Sequence, residues 1–396
     1  MKAGYFTHTN IGPSETFIYD LVKGLNAEKD IDLTFVTGHK KKPIVVDFSL
    51  NSIASGYSEN NKEWSFRAYK LGQVLGGRGY YFKSEVQSKS AYKALNTNGL
   101  DNFDVAYVEY ATSGVLLMQY LKEKNIPCVL HVHGYDVTAA RNDPEYSKKL
   151  FELYKYCSYI VTPSEHLKRL IILQGCEADK IKVIYPFEVS SLINPENWKN
   201  RYKNKPAITF LGRLTQKKNP IALLYAFSLV IKEYQDFQLN ILGGGDLLNA
   251  CKIKAKELGI EKYVFFHGVV DRTKAFDFLN NSWIYAQHSV TSNSGDQEGF
   301  PVSLAEAAAH ALPLVSTIHS GITENIIEGQ TGFLVQEYNY EAMAEKIIYL
   351  IKNPAIAEKM GKAGRKHIMD ICSPGQRVKK IKELLLHASN QKSSNS

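Results

Sequence analysis

The sequence predicts an α/β protein made of two doubly wound domains, each a parallel sheet covered by helices on both faces. Three observations predict it. Short β-branched runs alternate with helical stretches along the whole chain, the runs are apolar throughout, and the alternation breaks once, over Ser190 to Lys205. Strands that are apolar at every position and separated by helices of about ten residues require a sheet buried on both faces.

In the first half, strand-like runs fall at Ala3–Thr7, Leu33–Thr37, Asp104–Glu109, Pro127–His131, Tyr159–Thr162 and Lys182–Tyr185. Helical patterns lie between them at Thr16–Leu25, Leu116–Lys124, Pro144–Tyr154 and Glu165–Leu173. Ser190 to Lys205 is polar, with Pro195, Trp198 and four cations, and reads as an interdomain linker. Alternation then restarts at Ala207–Leu211. It continues through Pro220–Glu233, Gln238–Leu242, Leu247–Leu258, Val264–His267, Thr273–Asn280 and Trp283–Gln287, then Val302–His310, Leu314–Thr317, Thr323–Glu328, Gly332–Val335 and Glu341–Ile351. The tail from Pro354 is helical and basic, divided by Pro374, with an amphipathic stretch from Arg377 to Leu386. The expected domains are therefore 1–190 and 191–370, with 371–396 a final helix with a frayed tail, which could cross back to the first domain although the sequence alone does not establish it. The cleft between two such domains is the default place for a site.

Composition narrows the function classes. The 396 residues suffice for two or three domains, and 44% apolar with 22% charged is an ordinary globular balance. No apolar run reaches the ~18 residues a membrane span needs. The start, Met1 to His8, has no long apolar stretch of a secretory signal, so a cytoplasmic protein is expected. Five dispersed cysteines without a CxxC pair argue for packing roles in a reducing compartment. The net charge is +8, and Lys62 to Lys93 interleaves seven basic residues with Trp64, Phe66, Tyr69, Tyr80, Tyr81, Phe82 and Tyr92. Such a stretch suits an anionic lipid surface or an anionic acceptor, and equally a helix pair with a solvated face and core aromatics. No nucleic-acid motif accompanies the charge.

In open parallel sheets ligands bind beyond the carboxyl ends of the strands, so the residues just after each run carry the chemistry. Gly212-Arg213-Leu214-Thr215-Gln216-Lys217-Lys218 follows Ala207–Leu211, and Arg213 with Lys218 suits a diphosphate, though a solvated loop would look similar. Gly243-Gly244-Gly245-Asp246 follows the next strand, either as an anion-binding turn or as a tight turn with Asp246 capping a helix. Glu298-Gly299-Phe300-Pro301-Val302-Ser303-Leu304-Ala305-Glu306 sets two carboxylates eight positions apart across a loop-to-helix junction. A carboxylate accepts two hydrogen bonds at once and so matches vicinal hydroxyls. His131-Val132-His133-Gly134-Tyr135-Asp136 closes a strand in the first half; the histidines could also be metal ligands or satisfied core residues. Gly12-Pro13-Ser14-Glu15 follows the first strand, where Ser14 and Glu15 also suit a helix start.

Together these residues resemble the retaining glycosyltransferases of family four, from Ser14-Glu15-Thr16-Phe17-Ile18 through Gly295-Asp296-Gln297-Glu298-Gly299-Phe300-Pro301 to Gly332-Phe333-Leu334-Val335. The first two segments look most like enzymes of colanic acid, amylovoran and related exopolysaccharide assembly. The resemblance implies the GT-B fold, two Rossmann-like domains facing across a cleft, the second binding a nucleotide sugar linked to UDP or GDP. Within it, Arg213 and Lys218 match the cations on the donor diphosphate, Glu306 the carboxylate on the ribose, and Glu298 the carboxylate near the donor sugar. Gly299, Phe300 and Pro301 match the loop lining sugar and diphosphate, with Gly12, Gly212 and Gly244 on the donor side. His133 matches the catalytic-site histidine, and Ser14, Glu15 and Asp136 are assigned to the acceptor side. Asn219 stands where the family often has glycine, and Gln287-His288 where it often has Pro-Ser.

The expected chemistry is front-face substitution, with the departing diphosphate taking the acceptor's proton. Arg213, Lys218, His133 and Glu298 are its catalytic residues. No cofactor and no metal are expected: the one Asp-x-Asp, Asp30-Ile31-Asp32, precedes a strand. The resemblance implies a saccharide or polyprenyl-diphosphate-linked saccharide as acceptor, with 62–93 a candidate membrane-surface contact and nucleic acid no partner. A GT-B nucleotide-sugar epimerase and a non-catalytic nucleotide-sugar-binding protein are the rival readings. An NAD oxidoreductase is disfavoured, because no Gly-x-Gly-x-x-Gly turn follows the first strand.

Overall fold

The computed structural model describes residues 1–8, 11, 15–39, 46–58, 79–100 and 102–394. Two compact units divide them: Met1–Ile184 together with Arg377–Ser396, and Tyr185–Gln376. Each is built on one sheet. The first sheet contains β1 (Lys2–Thr7), β2 (Asp32–Thr37), β3 (Asn51–Ala54), β4 (Val105–Glu109), β5 (Cys128–His131), β6 (Tyr159–Thr162) and β7 (Ile181–Val183). Their order is β3-β2-β1-β4-β5-β6-β7. The second contains β8 (Ala207–Leu211), β9 (Gln238–Leu242), β10 (Val264–Gly268), β11 (Ile284–Ala286), β12 (Leu314–Thr317) and β13 (Gly332–Val335), ordered β10-β9-β8-β11-β12-β13. Every ladder between these strands is parallel.

The central strands are buried along their length, β4 at every residue, because helices cover both faces. In the second unit the helices Pro220–Glu233 and Tyr340–Lys352 pack Leu223, Phe227, Met343 and Ile347 onto Ile208, Phe210 and Ile241. In the first, Leu117, Leu121, Leu150 and Leu153 pack onto Ala106, Val108 and Leu130. All five cysteines are buried. Among the described residues no helix is long and apolar enough to cross a membrane.

Two boundaries differ from the sequence reading. The break between units falls after Ile184 rather than after residue 190, and Val189 N–H donates to the Cys372 carbonyl at 3.0 Å, inside the second unit. Ser190–Lys205 is not a linker. Asn197 caps a short helix, Trp198–Arg201, whose Trp198 and Arg201 are buried. Arg201 lies 4.8 Å over the Trp198 ring and donates Nη2 to the His310 carbonyl at 3.0 Å. A run of cations looks solvated in sequence, yet one of them spends its guanidinium inside the unit.

From Arg377 onward the helix Gln376–Ser394 belongs to the first unit. Ile381, Leu385 and Ala388 enter the core with Leu21, Val22 and Leu25 of the helix Thr16–Asn26. Arg377 Nη1 donates to the Phe17 carbonyl at 2.6 Å, and Lys382 pairs with Glu28 at 2.6 Å and Asp30 at 2.7 Å. A Cβ on Gly24 would collide with Val378, so the two helices meet backbone-close. Most of the basic, aromatic stretch from Lys62 lies outside the described residues. Its last part enters the helix Gly79–Thr97, where Ala91 and Leu95 are buried.

Candidate functional site

In each sheet the strand order reverses once, between β1 and β4 and between β8 and β11. There the loops beyond the carboxyl ends part to either side and leave room for a ligand. Both places carry the residues singled out from the sequence.

In the second unit, β8 runs into Gly212 and Arg213, then a 3-10 turn Gln216–Lys218 and the helix Pro220–Glu233. Asn219 adopts a left-handed conformation with φ 39° and caps that helix through the Ala222 N–H at 3.3 Å. Asparagine is one of the few residues other than glycine that visit this conformation routinely. Arg213 is exposed and pairs with no described residue. Lys218 is 13% exposed at its side chain and meets Glu298 at 3.0 Å; Lys217 meets Asp296 at 3.1 Å. The turn at Gly243–Gly245 lies against this loop. Gly212 N–H donates to the Leu242 carbonyl at 2.9 Å, and Leu214 N–H to the Gly244 carbonyl at 2.8 Å. A Cβ on Gly243 would strike the Gly212 carbonyl, and one on Gly245 would sit 2.6 Å from that of Leu214. These two glycines exist for backbone approach. A Cβ on Gly244 would meet only the Val269 side chain, in ordinary contact at 3.4 Å, and Asp246 is not a cap, because the next helix begins at Leu248.

Glu298 is the best-connected residue here. Its Oε1 accepts from Lys218 and, at 3.2 Å, from the Ser289 hydroxyl. Ser289 in turn accepts from Gln287 Nε2 at 2.8 Å, and Gln287 Oε1 accepts from Tyr285 at 3.0 Å and Ser303 at 3.2 Å. Burial works to raise the Glu298 carboxyl, but the Lys218 and Lys217 ammonium groups override it and hold the group at about 2. Its backbone is gripped as well, by His319, which accepts the Glu298 N–H at 3.2 Å, and by the Ser320 hydroxyl on its carbonyl. Neither His319 nor its partner Glu337 was singled out from the sequence. They follow β12 and β13, far along the chain from Glu298, and only their place just after strands could have marked them.

The helix Val302–Ala309 begins beyond Pro301 and buries Glu306 on its second turn, with Phe300 packed on Tyr185 at 4.8 Å between ring centres. Tyr285 lies within electrostatic reach of both Glu298 and Glu306. The structure therefore gathers Lys218, Glu298 and Glu306 around the β11 end. His288, which follows Gln287, is fully buried, and burial lowers its imidazole to about 4.

In the first unit, β5 ends at His131, and His133 opens the short helix Gly134–Val137. Glu109, at the end of β4, is fully buried and lies 3.0 Å from His131 Nδ1 and 3.7 Å from His133 Nε2. Burial works to raise Glu109, but the two imidazoles hold its carboxyl well below the usual range, while burial lowers His131 to about 4. This is a carboxylate accepting from a neutral imidazole. The three residues place one candidate metal-ligand atom each within 4.8 Å of one another. His133 packs between Tyr110 and Phe17, with ring centres 4.5 and 5.2 Å away, and Tyr110 donates to Glu15 at 2.8 Å. Both buried oxygens of Asp136, placed on the acceptor side by the resemblance, are already engaged: they accept the Ala111 and His133 N–H groups, each at 2.8 Å, tying two helix starts together. Gly12 and Ser14 lie outside the described residues.

Two family models cover most of the chain. Residues 14–187 match "Glycosyltransferase Family 4" and residues 195–367 match "Glycosyl transferases group 1". The chain belongs to the family-four glycosyltransferases. Among the relatives of this glycosyltransferase, the amylovoran biosynthesis glycosyltransferase AmsK of Erwinia amylovora is 28% identical over 258 residues, 64% of this chain. The chain spans 62% of that relative's length and about half, 53%, of the next ones'. Among solved structures, a sucrose-phosphate synthase from Thermosynechococcus elongatus superposes with a TM-score of 0.79 at 15% identity, covering 100% of both chains. HepE from Anabaena, solved with UDP-glucose, gives a TM-score of 0.70 at 15% identity, again over 100% of both. The glycosyltransferase has the GT-B fold of these neighbours, with two parallel-sheet, Rossmann-like domains.

Proposed function

We propose that this glycosyltransferase moves a hexose from a nucleotide sugar to a saccharide acceptor, with retention at the anomeric carbon, in bacterial-type surface polysaccharide assembly. The observation that carries the reading is the Lys218–Glu298 pair at the β8/β11 reversal, with uncommitted Arg213 on the same loop. A nucleotide sugar presents a diphosphate beside two sets of hydroxyls. Arg213 and Lys218 answer the first, Glu298 the transferred sugar and Glu306 the ribose. The UDP-glucose in HepE supports a UDP-linked donor, with GDP the other candidate, and the amylovoran relative supports the polysaccharide role. The acceptor is a saccharide or a polyprenyl-diphosphate-linked saccharide, the latter bringing the enzyme to the inner face of the cytoplasmic membrane.

In this mechanism the bond from the anomeric carbon to the diphosphate oxygen breaks while the acceptor oxygen attacks from the same face. The acceptor's proton passes to an oxygen of the leaving diphosphate. Arg213 and Lys218 stabilise the charge that builds there, as preorganised cations do without a divalent ion. His133 stands at the position that the resemblance gives to the family's catalytic-site histidine. Glu298 and Glu306 bind hydroxyls and form no covalent bond, unlike the paired carboxylates of glycosidases.

A panel of UDP- and GDP-sugars, screened by thermal shift, tests the donor site, because a ligand of the native state raises its melting point. The matching donor should then release nucleoside diphosphate only when an acceptor saccharide is present, and do so in EDTA. No shift with any member of the panel would sink the reading. Isomerised sugar formed without acceptor would make the protein an epimerase.

A further inference from the structure

The segment that presents Glu298 is held from behind by residues that the transfer reaction itself does not use. His319, 3% exposed, accepts the Glu298 N–H on Nε2 at 3.2 Å. A ring nitrogen that accepts carries no proton, so the proton of this imidazole is on Nδ1, where it is donated to Glu337 Oε1 at 2.6 Å. The other Glu337 oxygen accepts the Thr291 N–H at 3.0 Å. One histidine–carboxylate pair thus pins both ends of residues 291–298. With the Ser320 hydroxyl on the Glu298 carbonyl, both backbone polar atoms of Glu298 are spoken for. Only its side-chain torsions stay open, and Lys218 and Ser289 fix those.

We propose that His319 and Glu337 are positioning residues of the donor site, clamping segment 291–298 so that the Glu298 carboxylate is delivered to Lys218 and to the donor's hydroxyls. Neither touches the reacting atoms. The benefit is preorganisation: a carboxylate already placed loses no freedom when the sugar arrives. The functional half of this inference rests on the nucleotide-sugar reading above; the structural half does not.

The experiment has two arms on the full-length protein. In the unliganded protein, amide hydrogen exchange across 291–298 should be about tenfold faster or more in His319→Ala, the loss expected for one buried hydrogen bond. His319→Gln, whose amide oxygen can accept the same N–H, should stay within about threefold of wild type. With UDP-glucose as donor probe, His319→Ala should raise the donor KM roughly tenfold while kcat falls less than about threefold, and His319→Gln should restore it. Glu337→Gln, which keeps an acceptor for the imidazole, should lie between the two and serves if His319→Ala does not fold. Unchanged exchange in His319→Ala overturns the clamp. So does a glutamine variant as impaired as the alanine one, or a parallel fall of kcat, kcat/KM and melting point. If the exchange arm behaves as stated but wild type neither binds nor turns over UDP-glucose, the clamp stands and the UDP-glucose reading falls.

Discussion

At the carboxyl edge of the first sheet a buried carboxylate, Glu109, is answered by a neutral imidazole; at that of the second, Glu298 is answered by lysine ammonium groups. Each follows or ends the strand just past the point where its sheet's order reverses, yet the physics differs. A histidine–carboxylate contact sealed from water fixes a ring's orientation and has little else to do. A lysine on a flexible stem, partly open to solvent and beside an uncommitted arginine, can exchange one anionic partner for another. The Glu109–His131 contact holds a geometry and the Lys218–Glu298 contact can trade partners with a ligand, which supports the donor site proposed in the second unit.

The harshest way to break this contrast is Lys218→Ala. It strands Glu298 as a buried carboxylate without its nearest cation, and should cost about 3 kcal/mol in urea unfolding and at least ~10²-fold in kcat. Lost turnover with unchanged stability would show that the pair is not a structural partnership at all. Arg213→Ala sharpens the same point from the other side: turnover should fall on the order of 10²-fold with no measurable change in the denaturation midpoint, because the side chain is exposed and pairs with no described residue. Glu306→Gln comes next, raising donor KM roughly tenfold in steady-state kinetics while kcat holds.

The smallest effect is a slope in stability against pH. His131 and His288 sit at about 4 in the fold against 6.5 when unfolded, so between those values the unfolded chain binds more protons and stability falls as pH drops. Glu298, depressed to about 2, adds a loss of the same sign as pH falls below its unfolded value near 4.5. Unfolding free energy measured across pH should therefore decline from about 6.5 downward. His131→Asn, which keeps a donor for Glu109, should remove about one proton from the upper limb only. A profile flat from pH 7 to 4 would contradict the sealed, neutral histidine of the first edge.

Much of this was legible in the chain. Ala207–Leu211, Gln238–Leu242, Leu314–Thr317 and Gly332–Val335 appear as strands at the bounds read from their apolar runs, because a strand buried on both faces has nowhere to hide its composition. β3 was missed for the converse reason: at an edge, three of its four residues, Asn51, Ser52 and Ala54, are exposed and only Ile53 is apolar and shielded. The cations and carboxylates of the second unit were visible because each follows a strand, but their pairing was not, since 80 residues separate Lys218 from Glu298. Asp136 was given to the acceptor side by the resemblance alone. In three dimensions two helix starts claim both its oxygens. His319 and Glu337 left no local pattern, since their meaning lies in an amide contributed by a distant loop.

The helix Gln376–Ser394 gives order of synthesis a role in how this protein is made. Ile381, Leu385 and Ala388 complete a core that Leu21, Val22 and Leu25 begin. On the ribosome, the helix Thr16–Asn26 must wait for residues translated after the entire second unit. Meanwhile the apolar face of Thr16–Asn26 stands uncovered for a chaperone or for another nascent chain. Trimming the far end should therefore injure the near one, and the unit that includes Met1 should reach its native state last.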